Sequence, residues 1–318
     1  MIKEIGGYLE LENTKNGYNF YPNYYSFNSA RNAFLFFCKH KHIKKVYLPY
    51  FLCDSITNIC QLNSIEFEYY NIDKNLQPNF NKKVGCNELL YIVNYFGQMT
   101  NKDILILKKL HKNILIDNVQ AFYRKSLSGI PYIYSCRKFF GVPDGAYLSN
   151  IRIKYDVLKQ SSGSERMTHL IGRLNGTGNE FYKYFLLNEQ RINNFKIEKM
   201  SFESEMIMNN INHKNVIKIR NNNYAFLQKR LRKINSLNIR FVNGAFCYPL
   251  LINSGEKIRK VLIENFIYVP KLWPNVHNKD GFELEFFLSN NLLPLPCDQR
   301  YTKDDMKRIC DIIFEYGQ

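Results

Sequence analysis

With 318 residues the chain can bury a sizeable core in more than one lobe, and 45% apolar with 23% charged residues is ordinary for a globular protein, which excludes a disordered one. The formal charge of +16 raises nucleic-acid binding. However, the basic residues are scattered, and the short runs Lys39, Lys41, Lys44, Lys45 and Lys229, Arg230, Arg232, Lys233 read as solvated faces, so no nucleic-acid partner is expected.

Residues 29–39 read as a helix with a Ser or Asn start, residues 46–48 as a strand stopped by Pro49, 55–62 as a helix and 65–70 as a strand. The run 89–94 is nearly all apolar, as a strand covered on both faces should be. A helix at 102–111 leads to a buried strand at 114–116 ending on Asp117, followed by strands at 132–134 and 146–148. Alternation of this kind predicts a mostly parallel, doubly wound α/β sheet, with ligands beyond the carboxyl ends of its strands. Beyond residue 150 helices are expected at 152–160, 179–196 and 203–233, the last broken near Asn212. A smaller α/β pattern closes the chain: strand 247–252, helix 256–265, strands 267–269 and 283–288, and helix 302–316 opened by a capping-box-like Thr302–Asp305. We expect a large domain over 1–205 and a small C-terminal domain over 206–318.

The eight cysteines are spread without a CxxC pair and read as free thiols in a reducing compartment. His40/His42 and Cys53/Cys60 lack zinc spacing, so no metal is expected. The N-terminal residues lack an apolar signal core and no apolar run is long enough to cross a bilayer. A soluble, cytoplasmic protein without a membrane partner is the expectation.

Four segments carry possible chemistry. Asp117 leaves a buried strand, where a carboxylate is costly unless a cation faces it; alone, it reads better as an Asx turn. Ser135-Cys136-Arg137-Lys138 could place a phosphate-binding hydroxyl beside a reactive amine, or simply an exposed turn lysine. Ser29, Ala30, Arg31 and Asn32 open a helix whose amides could hold phosphate, or merely cap it. Phe51, past the strand at 46–48, could stack on a ring or belong to the core.

In this order and spacing the segments resemble the DegT/DnrJ/StrS family of pyridoxal 5'-phosphate (PLP)-dependent sugar aminotransferases, over nearly the whole chain. Arg31-Asn32-Ala33 after Ser29 looks like the family's phosphate loop, and Leu48-Pro49-Tyr50 like the strand and proline before its ring-stacking residue. Asn94-Tyr95-Phe96-Gly97-Gln98 is similar to its H-x-Y-G-Q segment, Asp117 and Gln120 to its E-D-x-A-Q pattern, and residues 295–302 to its L-P-x-x-x-x-x-[ST] run. Three features depart from the pattern. The Ser-to-Lys spacing is short, Gly141-Val142-Pro143-Asp144-Gly145-Ala146 stands for a G-E-G-G turn, and the G-x-N-Y-R segment has only Gly172-Arg173-Leu174-Asn175 as a poor counterpart. The resemblance implies the aspartate-aminotransferase fold (fold type I) and PLP as cofactor. It implies Lys138 as the lysine that carries PLP, Asp117 on the ring nitrogen and Gln120 on the phenolic oxygen. Ser135 with Ser29, Ala30, Arg31 and Asn32 would hold the phosphate, and Phe51 would lie on the ring. It further implies a nucleotide-linked keto-sugar as substrate, glutamate as amino donor and a homodimer. A PLP enzyme on another substrate, and an inert PLP-fold subunit, remain open.

Overall fold

The computed structural model describes residues 5–9, 19–152, 155, 157–194 and 196–317. The first half of the chain alternates short apolar strands with amphipathic helices. Its elements are β1 (Ile5–Gly6), β2 (Tyr25–Phe27), α1 (Ala30–His40), β3 (Lys45–Pro49), α2 (Asp54–Leu62), β4 (Glu66–Ile72), β5 (Pro78–Asn79), β6 (Glu88–Val93), α3 (Asn101–Leu110), β7 (Ile114–Asp117), β8 (Tyr132–Ser135) and β9 (Ala146–Ser149). The second half is α4 (Thr168–Asn175), α5 (Gly178–Asn193), α6 (Phe202–Asn209), α7 (His213–Leu231), β10 (Cys247–Leu251), α8 (Gly255–Glu264), β11 (Ile267–Tyr268), α9 (Glu283–Asn291), β12 (Leu292–Pro296) and α10 (Lys303–Tyr316).

Eight strands form one sheet in the order β2-β9-β8-β7-β6-β3-β4-β5. The five from β8 to β4 are parallel, while β9, β2 and β5 join antiparallel at the two sides. The central strands are buried along nearly their whole length, which is why they read as continuous apolar runs. The chain passes from β3 to β4 on one side and then returns to β6, β7 and β8 on the other. A crevice therefore opens at the carboxyl ends of β3 and β6. The fold class expected from the sequence is the one observed.

Two sequence readings are corrected. Residues 283–288 are not a strand but the start of α9. The polar-apolar alternation of Glu283-Leu284-Glu285 suggests a strand, yet burial falls on Glu285, Leu288 and Ser289, the spacing of one helical face. Glu285 is buried because its Oε1 accepts the Ile72 amide of β4 at 2.7 Å. The strand comes next, as β12, pairing antiparallel with β10 with Pro249 opposite Pro294, where neither residue has an amide to donate. The helix expected at 152–160 is also absent from its described part: 157 and 158 are turn and bend, and Gln160 bridges to Lys199. Ile153, Lys154 and Asp156 lie outside the described residues. The expected break near Asn212 is present, and the Asn212 side chain caps α7 by accepting the Asn215 amide.

Two apolar clusters result. One surrounds the large sheet and is rich in Tyr and Phe, and the other packs α7, α8 and α10 around β10 and β12. No described helix is long and apolar enough to cross a membrane.

Candidate active site

A cavity of about 380 Å³ lies at the carboxyl ends of the parallel strands, where the chain reverses direction across the sheet. β7 delivers Asp117 into it, 4% exposed. Asp117 Oδ1 accepts the Val119 amide at 2.8 Å, so the Asx turn is real, while Oδ2 accepts the Tyr91 hydroxyl at 2.7 Å. Burial raises its pKa, and the nearby Lys138 charge, the Val119 amide and the Tyr91 hydroxyl only partly oppose this. The carboxylate is thus held under desolvation and faces a space where a cation would relieve it.

Gln120, 1% exposed, lines the same cavity. Its Oε1 accepts the Phe96 amide at 3.1 Å, and its Nε2 has no hydrogen-bond partner among the described residues. Phe96 presents that amide from a left-handed conformation, φ 53°, uncommon for a bulky residue. A strained turn after β6 thus fixes the amide group of Gln120 and leaves a buried donor without an acceptor.

β8 ends on Ser135, and the chain then turns tightly, with the amides of Phe139 and Phe140 both donating to the Cys136 carbonyl. The turn projects a half-buried Lys138, whose Nζ lies 5.9 Å from the centre of the Phe246 ring. Its return arm is fixed by Gly145, φ +124°, where a Cβ would come within 3.1 Å of the Cys136 side chain. Asp144, wholly buried, accepts from Arg166, Ser201 and Ser204 and ties this arm to the start of α6. From below, the wholly buried Arg220 of α7 donates to the carbonyls of Phe139 and Ala245 at 3.1 and 2.8 Å, joining the lysine turn to the segment that carries Phe246.

At the N-terminus of α1, Ser29 caps the helix by accepting the Asn32 amide at 3.2 Å, and Ser29, Ala30 and Arg31 line the cavity. The first-turn amides of Ala30 and Arg31 have no acceptor within the helix. The structure therefore brings Ser29, Ala30, Arg31, Asp117, Gln120, Ser135 and Lys138 to one cavity. It does not bring in two of the expected residues. The Asn32 side chain is buried against Asn28 Oδ1 and the Lys196 carbonyl. Phe51 is corrected to a core residue: it is 0% exposed, its ring packing 4.7 Å from Trp273 and 5.5 Å from Tyr95, and Trp273, packed on it, is among the aromatics that reach the cavity.

Tyr91, Val119, Arg137, Trp273 and Arg300 also line the cavity and were not anticipated. Val119 was recoverable, as the residue two positions after the strand-end Asp. Tyr91 and Trp273 carried no local signal, since their meaning depends on which neighbours the fold supplies. Among the described residues no group of three or more His, Cys, Asp or Glu could hold a metal ion.

No family profile and no curated protein matches the sequence. Solved structures do. A DegT DnrJ EryC1 StrS aminotransferase from Brucella abortus superposes with a TM-score of 0.64 at 11% identity, covering 92% of this chain and 85% of that one. DesV of S. venezuelae gives 0.66 at 11% identity, covering 93% and 85%. The GDP-4-keto-6-deoxy-D-mannose-3-dehydratase of E. coli, solved with hydrated PLP, gives 0.63 at 13% identity, covering 91% and 87%. At these identities the likeness establishes the fold. The chain has the α/β architecture of the PLP-dependent sugar aminotransferases that its motifs resemble.

Proposed function

We propose that this chain is a cytoplasmic, homodimeric PLP-dependent aminotransferase that moves an amino group from glutamate to a nucleotide-linked keto-sugar. The observation that carries the reading is the pairing, in one cavity, of a desolvated Asp117 with Lys138, beside the unpartnered Gln120 Nε2. These residues fit the cofactor. A buried carboxylate suits a protonated ring nitrogen, a buried N–H donor suits the phenolic oxygen, and a helix N-terminus with Ser29 and Ser135 suits a phosphate. Bound there, PLP supplies a reactive aldehyde and a protonated ring that acts as an electron sink.

The chain's own groups do the rest. Asp117, held by Tyr91 and Val119, keeps its charge aimed at one point of the cavity. The Lys138 amine would hold the cofactor's aldehyde and would serve as the base that takes a proton and returns it. Val119 and Trp273 supply the apolar walls that the sequence assigned to Phe51. The lobes expected at 1–205 and 206–318 would enclose the site from its two sides. The sugar substrate rests on the motif resemblance and on a neighbour that modifies a GDP-linked keto-sugar, and the donor on the resemblance alone. Apolar side chains exposed on α4 and α5, Ile171, Leu174, Tyr182, Leu186 and Leu187, support a subunit contact.

Purified protein should take up PLP with a visible absorption band, and borohydride followed by peptide mapping should place the label on Lys138. Lys138→Ala should lose both. Glutamate should shift the band, and sedimentation should give twice the chain mass. A preparation that cannot take up PLP overturns the reading, and bound cofactor with no response to any amino donor replaces it with an inert subunit.

A further inference from the structure

Arg137 is absent from the phosphate-holding set named above. It lines the cavity two residues after Ser135, beside Arg31 at the start of α1. The Arg31 charge is felt at the Arg137 guanidinium. Burial first, then the Arg31 charge, bring the Arg137 pKa down to about 10, and burial likewise lowers that of Arg31. Both remain cations at neutral pH. Two half-buried cations lining one cavity, one of them at a helix N-terminus, are costly unless anions face them.

The anions present are few. Asp144, whose charge also reaches Arg137, is already taken by Arg166 in a buried ion pair at 2.8 Å. Asp54 is near Arg31 but exposed at the start of α2. The contacts in hydrogen-bond range come from α5: Glu189 Oε1 pairs with Arg137, and Asn193 Oδ1 accepts from Arg31. Glu189 and Asn193 are four residues apart and so on one helix face. Within hydrogen-bond range among the described residues, then, Arg137 meets one carboxylate, Glu189, itself 33% exposed, and Arg31 meets an amide oxygen, while Asp144 and Asp54 act on Arg137 and Arg31 from farther off. A phosphate dianion would match the pair and the helix terminus far better.

We propose that Arg137 and Arg31 form the seat for the cofactor phosphate, and that Glu189 of α5 is the internal anion that occupies Arg137 until the phosphate displaces it. This rests on the PLP reading above. Arginine suits the task because its planar fork can hold two phosphate oxygens at once. Glu189 would make cofactor uptake a competition, and would couple α5, which also lines the cavity through Phe185, to occupancy of the seat.

The test compares the affinity of the apoprotein for PLP and for pyridoxal, which lacks the phosphate, by absorbance titration. In Arg137→Gln the affinity for PLP should fall about tenfold or more while that for pyridoxal stays nearly unchanged, consistent with loss of a charge-assisted hydrogen bond. Arg137→Lys should recover part of the loss. Glu189→Gln should tighten PLP and leave pyridoxal unaffected, a gain that a misfolded variant would not show. If wild type binds PLP, but Arg137→Gln weakens both ligands alike or neither, and Glu189→Gln leaves PLP unchanged, the arginine seat is wrong and the cofactor reading stands. If wild type binds neither ligand, both fall.

Discussion

Asp117 satisfies two descriptions that compete in the sequence. Its Oδ1 closes an Asx turn on Val119 while its Oδ2 takes the Tyr91 hydroxyl, so the turn is the device that aims the carboxylate into the cavity. Burial raises its folded-state pKa above the unfolded value. For a raised carboxyl, the favourable contribution to stability is present below the unfolded pKa and is lost as pH rises through the folded one. Asp117→Asn removes the charge yet keeps both contacts, since the amide oxygen can accept from Val119 and the amide nitrogen can donate to the tyrosine oxygen. The cofactor-free variant should therefore be more stable than wild type at neutral pH, with the gap closing as pH falls through the carboxyl range. Denaturant midpoints measured across pH would show this, and a gap that does not change with pH would refute it. The aspartate itself was legible as a strand-end acid. Tyr91 was not, because a tyrosine within an apolar strand looks like any other core ring until β7 is placed beside β6.

At the scale of elements, local chemistry predicts boundaries well where caps are written into the chain. Thr302 accepts the Asp305 amide, and Asp305 accepts the Thr302 amide at 2.8 Å, a reciprocal cap that starts α10 where the sequence placed it. Thr302→Ala should cost about 1 kcal/mol, read as a lower denaturant midpoint with unchanged slope; no loss would mean that packing of Met306, Ile309 and Cys310 alone sets the helix start. The same local reading failed at α9. A buried glutamate looks like a solvent-facing one in a sequence, and only the Ile72 amide of β4, which donates to it, explains why Glu285 faces inward. Phe51 failed for the converse reason: its position after β3 was right, but the loop bringing Trp273 covers it and takes the place at the cavity.

For the whole molecule, the buried Arg220 joins parts far apart in sequence. It donates to Phe139 beyond β8 and to Ala245 before β10, meets Gln299 beyond β12 through its Nε at 2.7 Å, and lays its guanidinium 4.7 Å from the centre of the Phe139 ring. Arg220→Met should leave the carbonyls of Phe139 and Ala245 without these donors and destabilise the protein by about 2 kcal/mol or more. It should also loosen the turn that carries Lys138, slowing borohydride labelling of that lysine by PLP. Unchanged stability in denaturant would show that the arginine is replaceable by packing. The alternation of apolar strands and amphipathic helices, the strand-end Asp117 and the Ser135-to-Lys138 spacing were determined by the sequence itself, because strand period, caps and turns depend on residues close along the chain. Which of these residues share a cavity was decided only by tertiary structure. The reversal of strand order between β3 and β6 brings together residues from Gly6 to Arg300, and the roles of Arg137, Glu189, Arg220 and Trp273 come from neighbours that no local pattern can name.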